Sequence, residues 1–276
     1  MKRYADLHVH TNHSDGLLSP GEVVSRAASV GLKILAISDH DTVSGYDEAL
    51  KALPCGELTV IPAVELSTAT HNAELHILGY MIDHKNEAFA AKIDQFRKER
   101  EVRGEKIVEK LNELGVDLSM ETVKRVAGDS AMGRPHVADA LVREEFVRTF
   151  DEAFARFLGY HAPAYVPKYH MTPEQGIDLI HEARGVAVLA HPGTLARDDL
   201  IPGLAEYGLD GIEAIYPLHD NRRVKRYTEM AERLGLIITG GSDSHGRPTD
   251  KAAIGSITVP KECYDNLLLV KERYAA

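Results

Sequence analysis

The segment DLHVHTNHSDG, residues 6–16, places His8 and His10 two positions apart, with Asp15 close behind. Leu7 and Val9 alternate with the two histidines, which is the period-2 pattern of a strand. On a strand both imidazoles project from one face. Side by side they can grip one metal ion, and Asp15 in the following loop can serve a second. The theme recurs along the chain. Strand-like apolar runs end in His40, Glu65, His191, Asp243 and His245, and His76 lies on an alternating run of its own. An isolated strand histidine is more often packed or solvated than ligating; the ordered set is what points to metal. So many candidate ligands exceed the needs of one ion. Imidazole with carboxylate suits Mn, Fe, Zn, Co or Ni, and a carboxylate can bridge two ions. The set implies two or three divalent ions around a bridging hydroxide. Paired ions of this kind clamp the attacking and leaving oxygens of a phosphoryl displacement.

Such groups need a scaffold that brings strand ends together. Ser19-Pro20-Gly21-Glu22 reads as a capping box with proline at N1, opening a helix that stops at Gly31. Strands are expected at 32–42, 58–67 and 74–82, with a short helix around 45–53. From residue 86 the chain turns charged and helical, with further helices at 119–127, 135–144 and 151–159. The βα rhythm resumes with a second capping box at Thr172-Pro173-Glu174-Gln175. Strands at 186–193, 211–217 and 236–246 follow, and a last helix at 261–275. Strands alternating with amphipathic helices imply βα units and a mostly parallel sheet. About seven repeats suggest a TIM-like barrel, whose functional groups gather at the C-terminal strand ends. The expected organisation is a barrel from residues 1–85 and 166–276 carrying the metal site, with a helical insertion at 86–165.

Composition narrows the partners. Formal charge is −10, from 32 basic and 42 acidic residues. A long nucleic acid is an unexpected partner, since such binders carry a basic face. A small anion or short oligonucleotide stays open, because metal ions supply local positive charge. Two cysteines make no disulfide framework, and a reduced cytoplasm fits. No run reaches transmembrane length, so no membrane partner is expected. The start lacks the apolar core of a signal peptide. Oligomeric state is not readable.

His-x-His near the start, SDHD at 38–41, a strand ending in Glu65, an isolated strand His76, AHP at 190–192 and GSDSH at 241–245 together resemble the PHP (polymerase and histidinol phosphatase) superfamily. The resemblance spans nearly the whole chain outside the helical segment. It implies a distorted seven-stranded TIM-like barrel and usually three metal ions. Carried over by motif, His8, His10, Glu65 and Asp243 hold one ion. Asp15, His40 and His245 hold a second. Glu65 bridges to a third with His76 and His191. Several relatives have histidine where this chain has Asp15; the harder oxygen favours Mn²⁺ or Mg²⁺, with Zn²⁺ and Fe²⁺ as alternatives. Asp39 and Asp41 could orient ligands from behind or lie at the surface. His13 also lies in a motif. His71, His84, His161, His170 and His181 have no motif support and read as surface residues.

Gly133-Arg134-Pro135-His136 precedes a helix, with Pro135 suited to N1. Arg134 and His136 would then sit at a helix start, where anions bind, and arginine offers a bidentate fork for phosphate. Lys168, in Tyr165-Val166-Pro167-Lys168, could add a point charge; a solvated surface lysine is the plain alternative. Asn221, Arg222 and Arg247 are weaker nucleotide contacts on the same terms. An insertion with GRPH and a following YVPK resembles the PHP branch whose members act on nucleoside 3′,5′-bisphosphates or trim short RNA from its 5′ end. The resemblance implies a metal-dependent phosphatase that converts pAp to AMP and phosphate, with Arg134, His136 and Lys168 on the 5′-phosphate. The alternative is a 5′→3′ exoribonuclease acting on short 5′-phosphorylated oligonucleotides. Histidinol-phosphate phosphatase fits less well, since a monophosphate needs no second anion contact. A non-catalytic metal-binding module is disfavoured by the full ligand set. An amidohydrolase is disfavoured because no lysine ends an obvious barrel strand.

Overall fold

The computed structural model describes residues 4–274 except 55, 57, 71, 72, 129, 131, 168–170, 196 and 249. The chain divides into two compact units, Met1–Ala91 with His170–Ala276, and Lys92–Tyr169.

The first unit is built on a seven-stranded sheet in sequential order: β1 (Ala5–Val9), β2 (Ile34–Ile37), β3 (Thr59–Thr70), β4 (Ala73–Tyr80), β5 (Val186–Leu189), β6 (Gly211–Ile215) and β7 (Ile237–Gly240). It curls into a nearly closed barrel. The edges meet where Val9 bridges Ser244, with His10 N–H donating to the Ser244 carbonyl at 3.0 Å and Asp243 N–H to the His8 carbonyl at 2.8 Å. Helices α1 (Pro20–Ser29) and α2 (Gly45–Lys51) belong to this unit, and α3 (Glu87–Glu113) leads out of it. Ser19 closes the expected capping box over α1. Leu35, Ile37 and Val60 on the strands pack with Val23, Val24 and Ala27 of α1. Burying each such side chain contributes about 1.5–3 kcal/mol, and this fixes the strands whose ends carry the histidines.

The sheet is mostly parallel, as expected, with one strand reversed. β4 runs antiparallel to both β3 and β5, while the remaining pairs are parallel. Only two residues separate β3 from β4, whereas a parallel return needs a crossover of a dozen or more. The reversal has a use. The start of an antiparallel strand lies beside the C-terminal ends of its neighbours, so His76 sits opposite Ser67, near the end of β3.

The second unit is helical. The rest of α3 is followed by α4 (Met120–Ala127), α5 (Arg134–Arg143) and α6 (Phe150–Ala153). It buries its own core, including Ile107, Leu111, Leu118, Val123, Val137 and Leu141. Helix α5 starts at Arg134, which puts Pro135 one position later than expected. The first unit then resumes with α7 (Pro173–Glu182), α8 (Ile201–Tyr207), α9 (Asn221–Leu234) and α10 (Lys261–Lys271). The capping box at Thr172 and Gln175 is present. No described helix is long and apolar enough to cross a membrane.

Candidate metal centre

Nine sequence-selected residues meet at the C-terminal ends of the strands, and Glu65 is their hub. Its side chain is buried at 1% exposure, and five imidazoles approach it. His76 Nδ1 and His191 Nε2 lie 2.8 and 2.9 Å from Oε1. His8 Nε2, His10 Nε2 and His40 Nδ1 lie 3.2, 3.3 and 3.2 Å from Oε2. Asp243 Oδ1 adds a second acid, 3.0 Å from His10 Nε2 and 3.4 Å from His8 Nε2. On the other side of His10, Asp15 lies 3.3 Å from His245 Nε2 and 3.8 Å from His40 Nε2.

Three sets of donor atoms converge within 4.8 Å of one another: His8, His10, Glu65 and Asp243; His10, Asp15, His40 and His245; and His40, Glu65 and His76. His191 touches Glu65 but falls in none of these tight sets. Hydrogen bonding alone does not account for the geometry. The Nε2 atoms of His8 and His10 are 3.1 Å apart, facing the same carboxylates. Among the described residues the buried Nδ1 atoms of His10 and His40 make no hydrogen bond of acceptable geometry, His40 Nδ1 standing 3.2 Å from Glu65 Oε2 without one. Among the described residues no lysine or arginine pairs with Asp15, Glu65, Glu213 or Asp243. Lone pairs and negative charge facing a common centre fit divalent cations.

The electrostatics agree. Burial alone would raise Asp15 and Glu65, but the imidazoles beside them hold both well below the usual carboxylate range. Burial pushes His40 down to about 3, which keeps it neutral. Burial would also lower His10, yet Asp243 and Glu65 outweigh it and raise that imidazole to about 10. A proton and a cation therefore compete for the same His10 lone pair. At neutral pH, cation binding is expected to release protons. Affinity should rise with pH and level off only near about 10. Calorimetric titration in buffers of differing ionisation enthalpy checks this, and a buffer-independent heat would contradict it.

Other groups hold the ring of donors in place. Glu213 on β6, fully buried, accepts from His8 Nδ1 at 2.9 Å and from the His191 N–H at 2.8 Å. The Tyr216 phenol donates to Asp243 Oδ2 at 2.8 Å. His245 Nδ1 lies 3.0 Å from the Asp243 carbonyl. Asp250 Oδ2 accepts from the His245 and Arg247 N–H groups at 2.8 and 3.0 Å and from Ser244 Oγ at 3.2 Å. Asp39 and Asp41 are buried, not at the surface. Asp39 accepts from Thr11 and Ser14, and Asp41 from the Ser67 N–H at 2.7 Å. Asp41, His191 and Asp243 adopt φ of +50°, +27° and +50°. Such backbone is costly outside glycine and gathers at functional sites.

In the helical unit, the Arg134 guanidinium lies 5.8 and 5.5 Å from the ring centroids of Phe154 and Tyr165, and its Nη1 donates to the Leu158 carbonyl at 3.3 Å. His136 is buried, with Nδ1 accepting the Gly133 N–H at 2.9 Å and Nε2 3.2 Å from Ser130 Oγ. It caps the start of α5. Lys168 lies outside the described residues, as do His71 and His170. His181 is no plain surface residue: its Nε2 lies 2.9 Å from Asp210, and it stacks on Tyr274. His84 packs edge-on against Tyr46. His13 lies 2.8 Å from Ser44 Oγ and 3.1 Å from Glu48, and His161 is exposed.

The family model of the PHP domain matches residues 6–167. The chain belongs to the PHP family. This PHP protein is 34% identical over 249 residues to a 5′-3′ exoribonuclease, Rnm, of Salmonella typhimurium, covering 87% of this chain and 84% of that one. It is 32% identical over 246 residues to a 3′,5′-nucleoside bisphosphate phosphatase of Chromobacterium violaceum, covering 87% and 86%. Among solved structures, a candidate metal-dependent phosphoesterase from Bifidobacterium adolescentis superposes with a TM-score of 0.89 at 29% identity, over 97% and 96% of the two chains. Another, described as an amidohydrolase from Chromobacterium violaceum with bound sulfate and no metal, gives 0.85 at 29% identity over 95% and 96%. The PHP protein is thus a metal-dependent phosphoesterase that uses divalent ions.

Proposed function

We propose that this phosphoesterase removes the 3′-phosphate from nucleoside 3′,5′-bisphosphates, giving a nucleoside 5′-monophosphate and inorganic phosphate. The observation that carries the reading is the convergence of five imidazoles on the two oxygens of Glu65. In this reading His8, His10, Glu65 and Asp243 hold one ion. Asp15, His40 and His245 hold a second, and Glu65, His76 and His191 a third. Mn²⁺ is the favoured ion, because Asp15 adds a hard oxygen to an imidazole-rich set. Divalent ions supply charge neutralisation on phosphoryl oxygens and lower the pKa of water.

The chain's own groups prepare that chemistry. Glu213 takes the Nδ1–H of His8 and leaves its Nε2 lone pair toward the centre. Tyr216 occupies Asp243 Oδ2 and leaves Oδ1 facing inward. The Asp243 carbonyl takes the Nδ1–H of His245, whose Nε2 then faces Asp15. Burial of His8, His10 and Glu65 lowers the local dielectric, which strengthens every charge interaction there. Arg134, with Lys168, recognises the remote 5′-phosphate, and His136 holds the turn from which Arg134 projects. The sulfate described in the Chromobacterium violaceum structure supports an affinity of this fold for tetrahedral oxyanions.

Arg134→Ala is expected to raise KM for a bisphosphate about 10- to 100-fold, the worth of one charged hydrogen bond. KM for a simple aryl phosphate should barely change. Equal effects on both substrates would remove the 5′-phosphate assignment.

A second reading is favoured by the 34% identity to the Salmonella exoribonuclease. Both readings break a phosphate ester on the 3′ side of a 5′-phosphorylated nucleotide, and differ in whether that phosphate carries another nucleotide. Incubation with pAp and, separately, with a 5′-phosphorylated short RNA decides between them. Rapid release of phosphate from pAp to leave AMP supports the phosphatase. An untouched pAp beside a trimmed oligomer supports the exoribonuclease.

A further inference from the structure

Glu213 is a charged residue in the middle of β6 with no exposed surface. It joins none of the convergent donor sets among the described residues. Both of its oxygens are engaged: Oε1 with the His8 ring at 2.9 Å, and Oε2 with the His191 backbone N–H at 2.8 Å. These partners come from opposite directions in the chain, His8 from β1 and His191 from the turn after β5. The turn needs restraint, since His191 holds φ +27°, an unfavourable conformation for a side chain of that size. Its far end is pinned as well. The Gly193 N–H donates to His219 Nε2 at 3.1 Å, while His219 Nδ1 lies 2.9 Å from the Ala214 carbonyl. A β-carbon at Gly193 would stand 2.5 Å from that same His219 nitrogen, so the turn fits closely against the segment after β6.

We infer that Glu213 is a positioning residue for the metal centre. It selects the His8 tautomer with Nδ1–H and a bare Nε2, and it anchors the strained turn that presents His191. A carboxylate behind a ligating imidazole fixes ring orientation and raises the basicity of the ligating nitrogen. Glu213 does this for His8, and through its second oxygen it ties the same group to a ligand on another strand. One buried side chain thereby sets the spacing between two approaches to Glu65. This inference rests on the ligand sets proposed above and is independent of the substrate.

The test reads metal. Mn²⁺ is titrated into wild type and into Glu213→Gln, and thermal melting is followed with and without Mn²⁺. Glu213→Gln is expected to bind Mn²⁺ about 10- to 100-fold more weakly. Without metal it should melt modestly below wild type, because the glutamine NH2 meets either the His8 ring N–H or the His191 N–H, both of which the carboxylate accepts from, and with Mn²⁺ the deficit should widen. Its rise in Tm on Mn²⁺ addition should shrink. Equal Mn²⁺ affinity in the two proteins overturns the inference. So does an equal drop in Tm with and without Mn²⁺, which marks a general packing role. A wild type that binds no Mn²⁺ overturns both the inference and the ligand sets. A further measurement needs no variant. Nitrogen-15 NMR of the Zn²⁺-loaded wild type should find the His8 proton on Nδ1, and a proton on Nε2 overturns the inference outright.

Discussion

Glu65→Gln is expected to fold, to bind fewer divalent ions than wild type, and to hydrolyse phosphate esters at least about 10³-fold more slowly. The size of the effect follows from position. His76 and His191 approach one oxygen of Glu65, and His8, His10 and His40 approach the other. A glutamine keeps the shape but turns one oxygen into an N–H donor, which then faces lone pairs on one side or the other. Losing a single group that stabilises charge in a transition state costs about 10²–10³ in rate, and this group sits between two sets of donors. Folding should survive. Glu65 is 1% exposed, and neutralising it removes a buried charge from a cluster that already holds Asp15, Glu213 and Asp243. Metal content by elemental analysis, beside kcat on pAp and on an aryl phosphate, makes the check. Full metal content with normal kcat would remove Glu65 from its bridging role.

Much of this centre was legible because strand periodicity and capping chemistry are local. His8 and His10 alternate with Leu7 and Val9, so their shared face follows from three residues. The capping boxes at Ser19 and Thr172 formed as their side chains dictate. Failures came where the deciding partner lies far away in sequence. The direction of β4 is the exception: the two-residue link from β3 is a local hairpin signal, legible in the sequence although no direction was drawn from it. Glu213 and Tyr216 lie in GIEAIYP, where the only signal is one carboxylate in an apolar strand. That signal was usable, because a buried charge requires partners. Asp250 gathers three donors from the turn carrying Asp243 and His245, yet nothing in its spacing announces this. His136 illustrates a competition between roles. A histidine at a helix start can meet an anion or cap the helix, and here its Nδ1 accepts the Gly133 N–H. His181 read as solvated because its partner Asp210 is 29 residues away.

Removal of divalent ions by a chelator is expected to abolish hydrolysis and lower Tm by on the order of 10 °C, with Mn²⁺ restoring both. The argument is one of charge. Asp15, Glu65 and Asp243 face the centre with Glu213 behind His8, and among the described residues the only basic side chains paired with them are imidazoles. Imidazoles can balance carboxylates by taking up protons, as the raised His8 and His10 indicate. Burial opposes that route, and at His40 burial wins. A cation meets the same carboxylates while leaving every imidazole neutral, so it stabilises the folded centre beyond what protons achieve. A ligand at a thousandfold its Kd adds about 4 kcal/mol to stability. For domains of 150–250 residues each kcal/mol moves Tm by about 2–4 °C, which sets the expected shift. The restoration should weaken in acid, where protons reclaim His10. Chelated protein with no detectable metal that keeps its activity and its Tm would show that the imidazoles and carboxylates satisfy one another unaided. In that event the short contacts around Glu65 would have to be read as a proton-sharing network.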